Sequence, residues 1–554
     1  MTARRTCDSL RRGVSTIRVS EWDHGHLSIN FDPSADADGT DRFVSPILIR
    51  PLSLKQMKIR DLLEQADSSR TAIRTEINTL TYAEVGRLVD SLTGALRNFG
   101  LREGDRIAIA LPNGLEVIAT FLAASTVGTA APLNPAYTVE EFKFYLEDTQ
   151  ARALIIPSGS AQEARTAALE TNVAIIECVT AEGGEVQLSM NGQLSGTEDE
   201  VAAGSRDIAL ILHTSGTTSR PKRVPLAHAN LLTSAENVAN TYQLKAEDVS
   251  LCVMPLFHVH GLVASTLATF RSGGTVVVPS KFNPLSFWAT VREHGATWYS
   301  AVPTIHQVLL SRAKGARPSG AEQLRFIRSC SASLAPQLMA DMETTFGAPV
   351  LEAYGMTEAA HQMASNPLPP LARKAGSVGR GTAVDIAILD EAGNLLPTGA
   401  TGEVSIKGPN VFSGYEGNAE ANAESFSSGW FRTGDQGILD NEGYLTLVGR
   451  IKELINRGGE KISPREIDET LLQHPAVAEA CCFGIPDRVY GEGVAAAVVL
   501  KDAATEKELI GHCRSSLSDF KCPTAIYIMD AIPRTATGKI QRRNVAAAIT
   551  QNNQ

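Results

Sequence analysis

The sequence has few cysteines and no pattern of residues that would bind a structural metal. Its 554 residues include eight cysteines. None of them belongs to a Cys-x-x-Cys pair or has the spacing of zinc ligands. We therefore expect no disulfide framework, no structural zinc site and a reduced intracellular compartment.

Long apolar runs and an excess of basic residues are also missing. The longest apolar stretches, such as Val494 to Leu500, have the length of a strand, whereas a membrane-spanning helix needs about 20 residues. Asp and Glu outnumber Lys and Arg by 61 to 51, which gives a net charge of −10. Binding to the backbone of nucleic acids requires a dense basic surface. We expect neither membrane insertion nor nucleic-acid binding, so an anionic ligand must be held by a local site.

The two ends of the sequence leave the cellular location open. The first twenty residues contain five arginines, a bias found in transit peptides, but they lack the apolar segment of a secretory signal. The last four residues, Gln551 to Gln554, do not match the Ser-Lys-Leu peroxisomal signal. We expect a cytoplasmic protein, with a peroxisomal or mitochondrial location as the alternative.

The order of apolar segments predicts an α/β protein with more than one domain, because 554 residues exceed the size of a single hydrophobic core. Strand-length runs such as Asp105–Leu111 alternate with helical patterns such as Glu116–Val127. This alternation is typical of parallel sheets covered by helices on both faces. From about Gly381, shorter strands with glycine turns indicate a β-rich subdomain.

We accordingly predict three segments. Residues 1–50 form an N-terminal extension of unknown role. Residues 51–451 form a large domain with two parallel-type α/β sheets and the β-rich subdomain. Residues 452–554 form a small, mobile α+β domain. The sequence does not indicate an oligomeric state.

The segment from Leu212 to Lys222 is the most informative motif. It follows an apolar strand and contains five hydroxyl side chains, one glycine and two cations. Backbone N–H groups and hydroxyls in such a loop can surround a polyphosphate, although a solvated Ser/Thr loop is an equally good interpretation of the composition. A Walker P-loop is disfavoured, because Gly216 is not part of a G-x-x-x-x-G-K-[ST] motif.

This loop resembles the phosphate loop of the adenylate-forming superfamily, which includes acyl-CoA synthetases, 4-coumarate–CoA ligases, luciferases and peptide-synthetase adenylation domains. Three further segments of that superfamily follow in the expected order, and the resemblance extends from about Ser53 to Val545. These segments are Glu352-Ala-Tyr-Gly-Met-Thr-Glu358, Gly429-Trp-Phe-Arg-Thr-Gly-Asp435 with Gly449-Arg450, and Pro533-Arg-Thr-Ala-Thr-Gly-Lys539.

The resemblance implies an enzyme that uses ATP, Mg²⁺, CoA and a small carboxylate. Lys539 corresponds to the catalytic lysine, which acts on charge that develops at the α-phosphate. Asp435 corresponds to the ribose-binding carboxylate, Arg450 to its cationic partner and Tyr354 to the aromatic cover of adenine. The implied ATP and AMP site comprises Thr214, Ser215, Gly216, Thr217, Thr218, Lys222, Glu352, Tyr354, Thr357, Asp435, Arg450 and Lys539.

The same resemblance assigns roles to further residues. Glu358 corresponds to the carboxylate linked to magnesium, and Thr357 to a catalytic hydroxyl at the nucleotide phosphate. Lys452 corresponds to the hinge about which the C-terminal domain moves between the two half-reactions. Gly458 and Gly459 correspond to the CoA-binding segment, in which Gly459 lines the route of the pantetheine arm.

Two positions depart from the family pattern. Ser219 and Arg223 stand where the family loop commonly has glycine. Arg223 adds a cation and a side chain at a turn, so it leaves the conformation of the loop open.

The residues around the acyl pocket are polar. In the family this pocket is bounded by a Phe-His motif, here Phe257-His258, and by the segment before the Tyr-Gly-Met-Thr-Glu motif, here Ser329 to Leu334. In these runs the chain closely resembles the oxalate–CoA ligase branch. The resemblance implies substrate contacts from His258, Ser331, Ser333 and His361, with His258 also catalytic. We expect His260 and His306 to serve structure.

A second carboxylate on the substrate is consistent with this composition. Burying an ionised carboxylate costs several kcal/mol, and each hydrogen bond to it returns about 1.5–3 kcal/mol. Two serines alone would only balance this cost, so a histidine donor is expected to assist them. The resemblance to the oxalate–CoA ligase branch, with which these energetics agree, implies oxalate as the acid. The alternatives are a 4-coumarate or medium-chain acyl-CoA synthetase and a catalytically silent binding relative.

Overall fold

The computed structural model describes residues 57–180, 185–191, 194, 207–214, 221–535 and 540–552, with side chains to residue 549. The predicted extension 1–50 lies outside the described residues.

The strands of the described part, in chain order, are β1 Thr71–Arg74, β2 Thr79–Thr81, β3 Arg106–Ile109, β4 Thr129–Pro132, β5 Ala153–Pro157, β6 Ala174–Thr180, β7 Val186–Ser189, β8 Ile208–Thr214, β9 Lys222–Ala227, β10 Val249–Cys252, β11 Thr275–Val277, β12 Trp298–Ala301, β13 Phe326–Ser329, β14 Val350–Met356, β15 His361–Ser365, β16 Arg380–Gly381, β17 Asp385–Leu389, β18 Thr401–Lys407, β19 Phe426–Ser427, β20 Trp430–Leu439, β21 Leu445–Arg450, β22 Ile455–Arg457, β23 Glu460–Ile462, β24 Val477–Asp487, β25 Gly491–Leu500 and β26 Ala525–Ile528.

The α-helices are α1 Leu62–Gln65, α2 Tyr82–Asn98, α3 Leu115–Val127, α4 Val139–Thr149, α5 Gln162–Glu170, α6 His228–Thr241, α7 Ala268–Ser272, α8 Phe287–His294, α9 Pro303–Ala313, α10 Pro336–Phe346, α11 Ala419–Ser425, α12 Pro464–Leu472, α13 Glu506–Ser516 and α14 Arg542–Asn552. Short 3₁₀ turns lie at Ile59–Asp61, Ala321–Gln323, Thr357–Ala359, Ile451–Glu453 and Asp519–Lys521, and a wide-turn π-helical segment lies at His260–Leu267.

Two large sheets form the first part of the fold. One has seven strands in the order β7-β6-β5-β3-β4-β8-β9, and the other has nine in the order β16-β15-β14-β13-β12-β10-β11-β1-β2. Their inner strands are parallel, whereas pairs such as β8–β9 and β14–β15 at the edges are antiparallel. Helix α3 is buried along almost its whole length. Strands covered on both faces read as continuous apolar runs, which is the pattern seen in the sequence.

Two smaller sheets complete the described part. Strands β17 to β21 form an antiparallel sheet between residues 385 and 450. Strands β22 to β26 form a separate sheet with its own apolar residues, including Ile467, Leu471 and Val494. The predicted fold class is thereby confirmed. The domain boundary at residues 451 and 452 stays a prediction.

Local sequence signals explain where several helices begin. Thr138 accepts a hydrogen bond from the backbone of Glu141 while the Glu141 carboxylate accepts one from the backbone of Thr138, and Thr505 and Glu508 repeat this arrangement. Such a capping box satisfies N–H groups that the first turn of a helix leaves unpaired.

In the described residues, no helix is both long enough and apolar enough to cross a membrane.

Candidate active site

The two ends of the Ser/Thr-rich loop lie side by side. Thr214 ends β8 and Lys222 begins β9, and these two residues are directly paired across the antiparallel ladder. The Nζ of Lys222 lies 4.5 Å from the ring centroid of Tyr415. Ser215, Gly216, Thr217 and Thr218 fall outside the described residues. The described ends thus place one hydroxyl and one cation beside each other.

Arg223 uses its backbone and its side chain to connect neighbouring segments. Its guanidinium donates a hydrogen bond to the backbone carbonyl of Asp148, and its own carbonyl accepts one from the N–H of Glu416 at 3.1 Å. The unusual arginine therefore joins β9 to residues 148 and 416. The adjoining loop, residues 215–220, lies outside the described residues.

A carboxylate, a guanidinium and a phenol meet at the start of the β20–β21 pair. Oδ1 of Asp435 lies 2.7 Å from Nε of Arg450, and the hydroxyl of Tyr354 donates a hydrogen bond to Oδ2. Burial and the neighbouring Asp435 raise the pKa of Tyr354 well above its usual value. The phenol therefore keeps its proton, and one carboxylate is held in a fixed orientation by two donors.

A second carboxylate lies close to this group. Glu358 is buried in the 3₁₀ turn after β14, which begins with the half-buried Thr357. Its Oε1 accepts a hydrogen bond from the hydroxyl of Tyr415 at 2.8 Å. Burial raises the pKa of Glu358, while the Tyr415 hydrogen bond and the charges of Arg450 and Lys222 act in the opposite direction. A buried carboxylate facing two cations is suited to ligands that carry phosphate and a metal ion.

Glu352 lies at the other end of the same motif, against the C-terminal segment. Its Oε1 accepts a hydrogen bond from the backbone N–H of Leu334 at 3.0 Å, whereas its buried Oε2 has no hydrogen-bond partner within the described part of the chain. Burial raises the pKa of Glu352 to about 7, and the charge of Arg465 in α12 opposes this rise. Glu352 is therefore a carboxyl group whose charge depends on pH near neutrality.

The predicted pocket residues Ser331 and His361 belong to one polar cluster, which we call the imidazole cluster and define as His260, Ser300, Ser331 and His361. Nδ1 of His260 lies 3.0 Å from Oγ of Ser331, and Nε2 lies 2.6 Å from Oγ of Ser300. The ring centroids of His260 and His361 are 5.2 Å apart. Both imidazoles are buried, while Ser331 is only half-buried.

Backbone geometry brings this cluster next to the nucleotide motif. Met356 and His361 face each other in the β14–β15 pair, and a Cβ at Gly355 would collide with the carbonyl oxygen of His361. Glycine is therefore required at position 355. Ser331 and His361 themselves have φ values of +71° and +116°. Left-handed backbone at residues other than glycine is uncommon and often found at functional sites.

The cluster surrounds an arginine that sequence reasoning did not single out. Arg328 in β13 is fully buried. Its Nη1 donates to Oγ of Ser300 at 2.9 Å, and its Nη2 lies 3.3 Å from Nδ1 of His361. No sequence pattern distinguishes it from the nearby Arg325, which pairs with Asp248 at 2.8 Å. Only the fold shows that one of these two arginines is buried among histidines.

The other two predicted pocket residues differ in exposure. Ser333 is exposed, and His258 is half-buried with its ring centroid 5.0 Å from that of Phe257. His260, which was expected to serve structure, contacts the predicted pocket residue Ser331, and its role stays a prediction. His306 is buried against the ring of Tyr299, as expected of a packing group.

The predicted hinge and CoA-binding residues lie on the surface. Lys452 is exposed in the turn Ile451–Glu453, which connects β21 to β22. Gly458 and Gly459 are exposed in the turn between β22 and β23, with φ values of +61° and +100°. Lys539 falls outside the described residues. Its assignment, like those of the other site residues, stays a prediction.

Comparison with known proteins decides the family. The chain matches the AMP-binding enzyme family over residues 63–416 and the AMP-binding enzyme C-terminal domain over residues 466–539. It belongs to the AMP-binding enzyme family. This AMP-binding enzyme is 48% identical over 477 residues to a probable CoA ligase of Humulus lupulus, with 84% of this chain and 91% of the relative covered.

Two further similarities agree with this result. The AMP-binding enzyme is 45% identical over 477 residues to an oxalate–CoA ligase of Arabidopsis thaliana, with 84% of this chain and 93% of the relative covered. Its structure is similar to that of ATP-bound MatB from Rhodopseudomonas palustris, with a TM-score of 0.80, 28% identity, and 90% and 100% of the two chains covered. The predictions of the family and of an AMP-forming CoA ligase are confirmed.

Proposed function

We propose that this AMP-binding enzyme joins oxalate to CoA through an oxalyl-adenylate, with release of pyrophosphate and AMP. The observation that carries the proposal is the position of two chemically different groups on one hairpin. Tyr354 on β14 contacts the Asp435–Arg450 pair, and His361 on the adjoining β15 belongs to the imidazole cluster. A nucleotide and a second anionic group can therefore be bound close to each other.

The polar donors of the imidazole cluster support a short dicarboxylate as the acid. Ser331 is the half-buried member, and the two imidazoles behind it are buried. A pocket lined by such donors leaves them unpaired when an apolar acyl chain occupies it, and this costs binding energy. The similarity to the oxalate–CoA ligase of Arabidopsis thaliana favours the same acid.

In the first half-reaction, an oxygen of the reacting carboxylate attacks the α-phosphorus of ATP. The bond between the α-phosphorus and the bridging oxygen breaks, and pyrophosphate leaves with that electron pair. We assign Asp435 to the ribose hydroxyls, since its carboxylate oxygens can accept hydrogen bonds from a diol. We assign the hydrogen-bond donors and positive charge for the phosphates to Arg450, Thr357, Thr214 and Lys222.

In the second half-reaction, the CoA thiolate attacks the acyl carbon and AMP leaves with the carboxylate oxygen. The thiol proton goes to solvent. We assign Lys539 to the charge at the α-phosphate in the first step, and Gly458 and Gly459 to the approach of CoA in the second. Lys452 is assigned as the hinge between the two arrangements.

Mg²⁺ is the expected companion of the ATP phosphates. No group of three or more His, Cys, Asp or Glu side chains suited to a metal occurs among the described residues. The buried carboxylate of Glu358 nevertheless fits Mg²⁺, because this ion is commonly held by one or two carboxylates together with substrate phosphates. When bound, the ion would neutralise phosphate charge. Glu358 would hold it, and the Tyr415 hydroxyl at 2.8 Å orients that carboxylate.

Pyrophosphate release with a panel of acids tests the proposal. The purified full-length protein is given ATP, Mg²⁺ and CoA with oxalate, acetate, hexanoate or 4-coumarate, and both pyrophosphate and CoA thioester are measured. Oxalate is expected to be the best substrate. If 4-coumarate or hexanoate is preferred, the runner-up acyl-CoA synthetase activity is correct. If no acid gives a thioester, the protein is a binding relative without catalytic activity.

A further inference from the structure

We propose that Arg328 is a positioning residue that makes the imidazole cluster specific for a substrate with a second negative charge. This inference rests on the proposed function. The first observation behind it is a fully buried guanidinium. Burying a charged group is costly unless an opposite charge compensates for it. An arginine in this position therefore raises the question of which anion is its partner.

No carboxylate of the described part of the protein serves as that partner. Arg328 forms no ion pair with any described Asp or Glu within 4.0 Å, and its hydrogen-bond acceptors are neutral groups, including the hydroxyl of Tyr242 at 2.9 Å and Oε1 of Gln362 at 3.1 Å. Glu352 on the next strand does not fill this role. In the β13–β14 register it is the partner of Ser329, whereas Arg328 is opposite Leu351. Because successive side chains of a strand point to opposite faces, Glu352 and Arg328 leave the sheet on different sides.

The geometry of Arg328 also fixes where the protons of His361 lie. A guanidinium can only donate hydrogen bonds. Nη2 of Arg328 lies 3.3 Å from Nδ1 of His361, so Nδ1 accepts and the ring proton is on Nε2. His361 is held as a hydrogen-bond donor through that second nitrogen.

The same argument applies to His260 through Ser300. Oγ of Ser300 accepts from Nη1 of Arg328 at 2.9 Å, so its own proton is directed to Nε2 of His260 at 2.6 Å. With Nε2 accepting, the proton of His260 is on Nδ1 and is donated to Oγ of Ser331 at 3.0 Å. The hydroxyl proton of Ser331 is then available for an acceptor outside this chain of hydrogen bonds.

One buried cation thus orients the hydrogen-bond chain that ends at Ser331. Ser331 is the most accessible member of the cluster. A carboxylate that reaches Ser331 accepts its proton and supplies the negative charge that the buried guanidinium lacks. A neutral group of the same shape can accept the hydrogen bond but cannot compensate the charge. The ligand class is therefore a small acid whose second group is anionic.

Oxamate provides the direct comparison, because a neutral amide replaces one carboxylate of oxalate at nearly constant shape. We measure kcat/KM for oxalate and oxamate with the full-length wild type, Arg328→Met and Arg328→Lys. The wild type is expected to prefer oxalate by about 100-fold, and Arg328→Met is expected to reduce this preference to about tenfold or less. Most of the loss should be in KM for oxalate, with KM for ATP changed by about twofold at most. Arg328→Lys should recover part of the preference, because it retains the charge.

Arg325→Met is the matched control, since Arg325 lies just before the same strand and pairs with the buried Asp248. Arg325→Met should lower stability without changing the ratio of kcat/KM for oxalate to kcat/KM for oxamate. The inference is overturned if Arg328→Met lowers activity with both acids equally, or if Arg325→Met changes the ratio as much. If neither Arg328 variant folds, the wild type alone is compared, and equal kcat/KM values for oxalate and oxamate overturn the inference. A wild type that uses oxalate and oxamate equally well contradicts this inference while leaving oxalate activation intact, whereas a wild type that prefers 4-coumarate contradicts the proposed function.

Discussion

Asp435 and Arg450 face each other across the β20–β21 pair, and the carboxylate Oδ1 lies 2.7 Å from the guanidinium Nε. Tyr354 holds the other carboxylate oxygen, so Asp435 has little freedom to rotate. We expect this arrangement to preorganise Asp435 for its proposed role as the acceptor for the ribose, which would reduce the cost of ordering it when ATP binds.

Asp435→Asn should therefore weaken ATP binding. The change removes a charged acceptor and half of an ion pair, and a hydrogen bond to a charged group is worth about 1.5–3 kcal/mol. KM for ATP should rise by roughly 10- to 100-fold. Asp440→Asn is the control, because Asp440 directly follows β20 and pairs with the half-buried Lys374 instead. Equal effects of the two changes on KM for ATP would contradict the assignment of Asp435.

Lys539→Ala should slow adenylation while leaving ATP binding largely intact. A donor that acts on charge developing only in the transition state contributes to kcat and little to binding, and its removal typically costs about 100- to 1000-fold in rate. Pyrophosphate release and ATP affinity are measured separately. The control is Lys507→Ala, an exposed lysine in α13 of the C-terminal segment. A loss below about tenfold at position 539 would rule out this role.

Lys452→Pro should separate the two half-reactions. Proline fixes φ and so restricts rotation of the backbone at the turn that connects β21 to β22. Adenylate formation should continue, whereas transfer of the acyl group to CoA should slow, because under the proposed hinge only that step needs the second domain arrangement. Lys452→Ala removes the side chain without fixing the backbone and should have a much smaller effect. A single-turnover experiment in which both steps fall equally would argue against a hinge here.

The buried carboxyl of Glu352 predicts a pH dependence of stability. Its pKa is raised to about 7, so between its unfolded value near 4.5 and pH 7 the folded state binds more protons than the unfolded state. This group therefore lowers the free energy of unfolding as pH rises through that window, by on the order of 3 kcal/mol. Glu352→Gln should remove this contribution.

Urea unfolding of the wild type and of Glu352→Gln at pH 5 and pH 8 measures the effect. The variant should gain stability relative to the wild type at pH 8 and little or none at pH 5. Glu403→Gln is an unsuitable control because that carboxylate pairs with Arg432, so the exposed Glu506→Gln in α13 is used. An equal difference between variant and wild type at both pH values would contradict the raised pKa.

Ser331 and Ser333 provide a matched pair for the acyl pocket. Ser331 lies 3.0 Å from the imidazole of His260, whereas Ser333 is exposed and lies outside the imidazole cluster. Ser331→Ala should lower kcat/KM for oxalate by about 10- to 100-fold, as expected for loss of a hydrogen bond to a charged group. Ser333→Ala should cost less, although the sequence alone suggested equal roles. The steady-state parameters of both variants with oxalate decide between these views.

Much of the fold followed from the sequence because its signals are local. The alternation of strands and helices and the apolar run of α3 can be recognised within short stretches of sequence. The observed α3, Leu115–Val127, begins one residue before the predicted helix. The antiparallel edge strands were not predicted, since pairing at an edge depends on contacts between distant segments. The motif from Tyr354 to Glu358 could be recognised for the same reason, because its residues are adjacent in the sequence.

The acyl pocket was less predictable. His260 was expected to serve structure, and Arg328 was given no role, because the contacts of these two side chains depend on how distant segments of the chain pack together. In the β12–β13 register Ser300 is paired with Arg328, and side-chain contacts join His260 and His361 to these two residues. A buried arginine and an exposed one, Arg328 and Arg325, look the same in the sequence.

The central claim is that oxalate is activated as an adenylate, and oxygen transfer tests it most directly. The protein is incubated with ¹⁸O-labelled oxalate, ATP, Mg²⁺ and CoA, and the products are analysed by mass spectrometry. An adenylate route predicts oxalyl-CoA together with AMP that has gained one ¹⁸O atom, and unlabelled pyrophosphate. Label in inorganic phosphate accompanied by ADP, or AMP without label, would contradict the account.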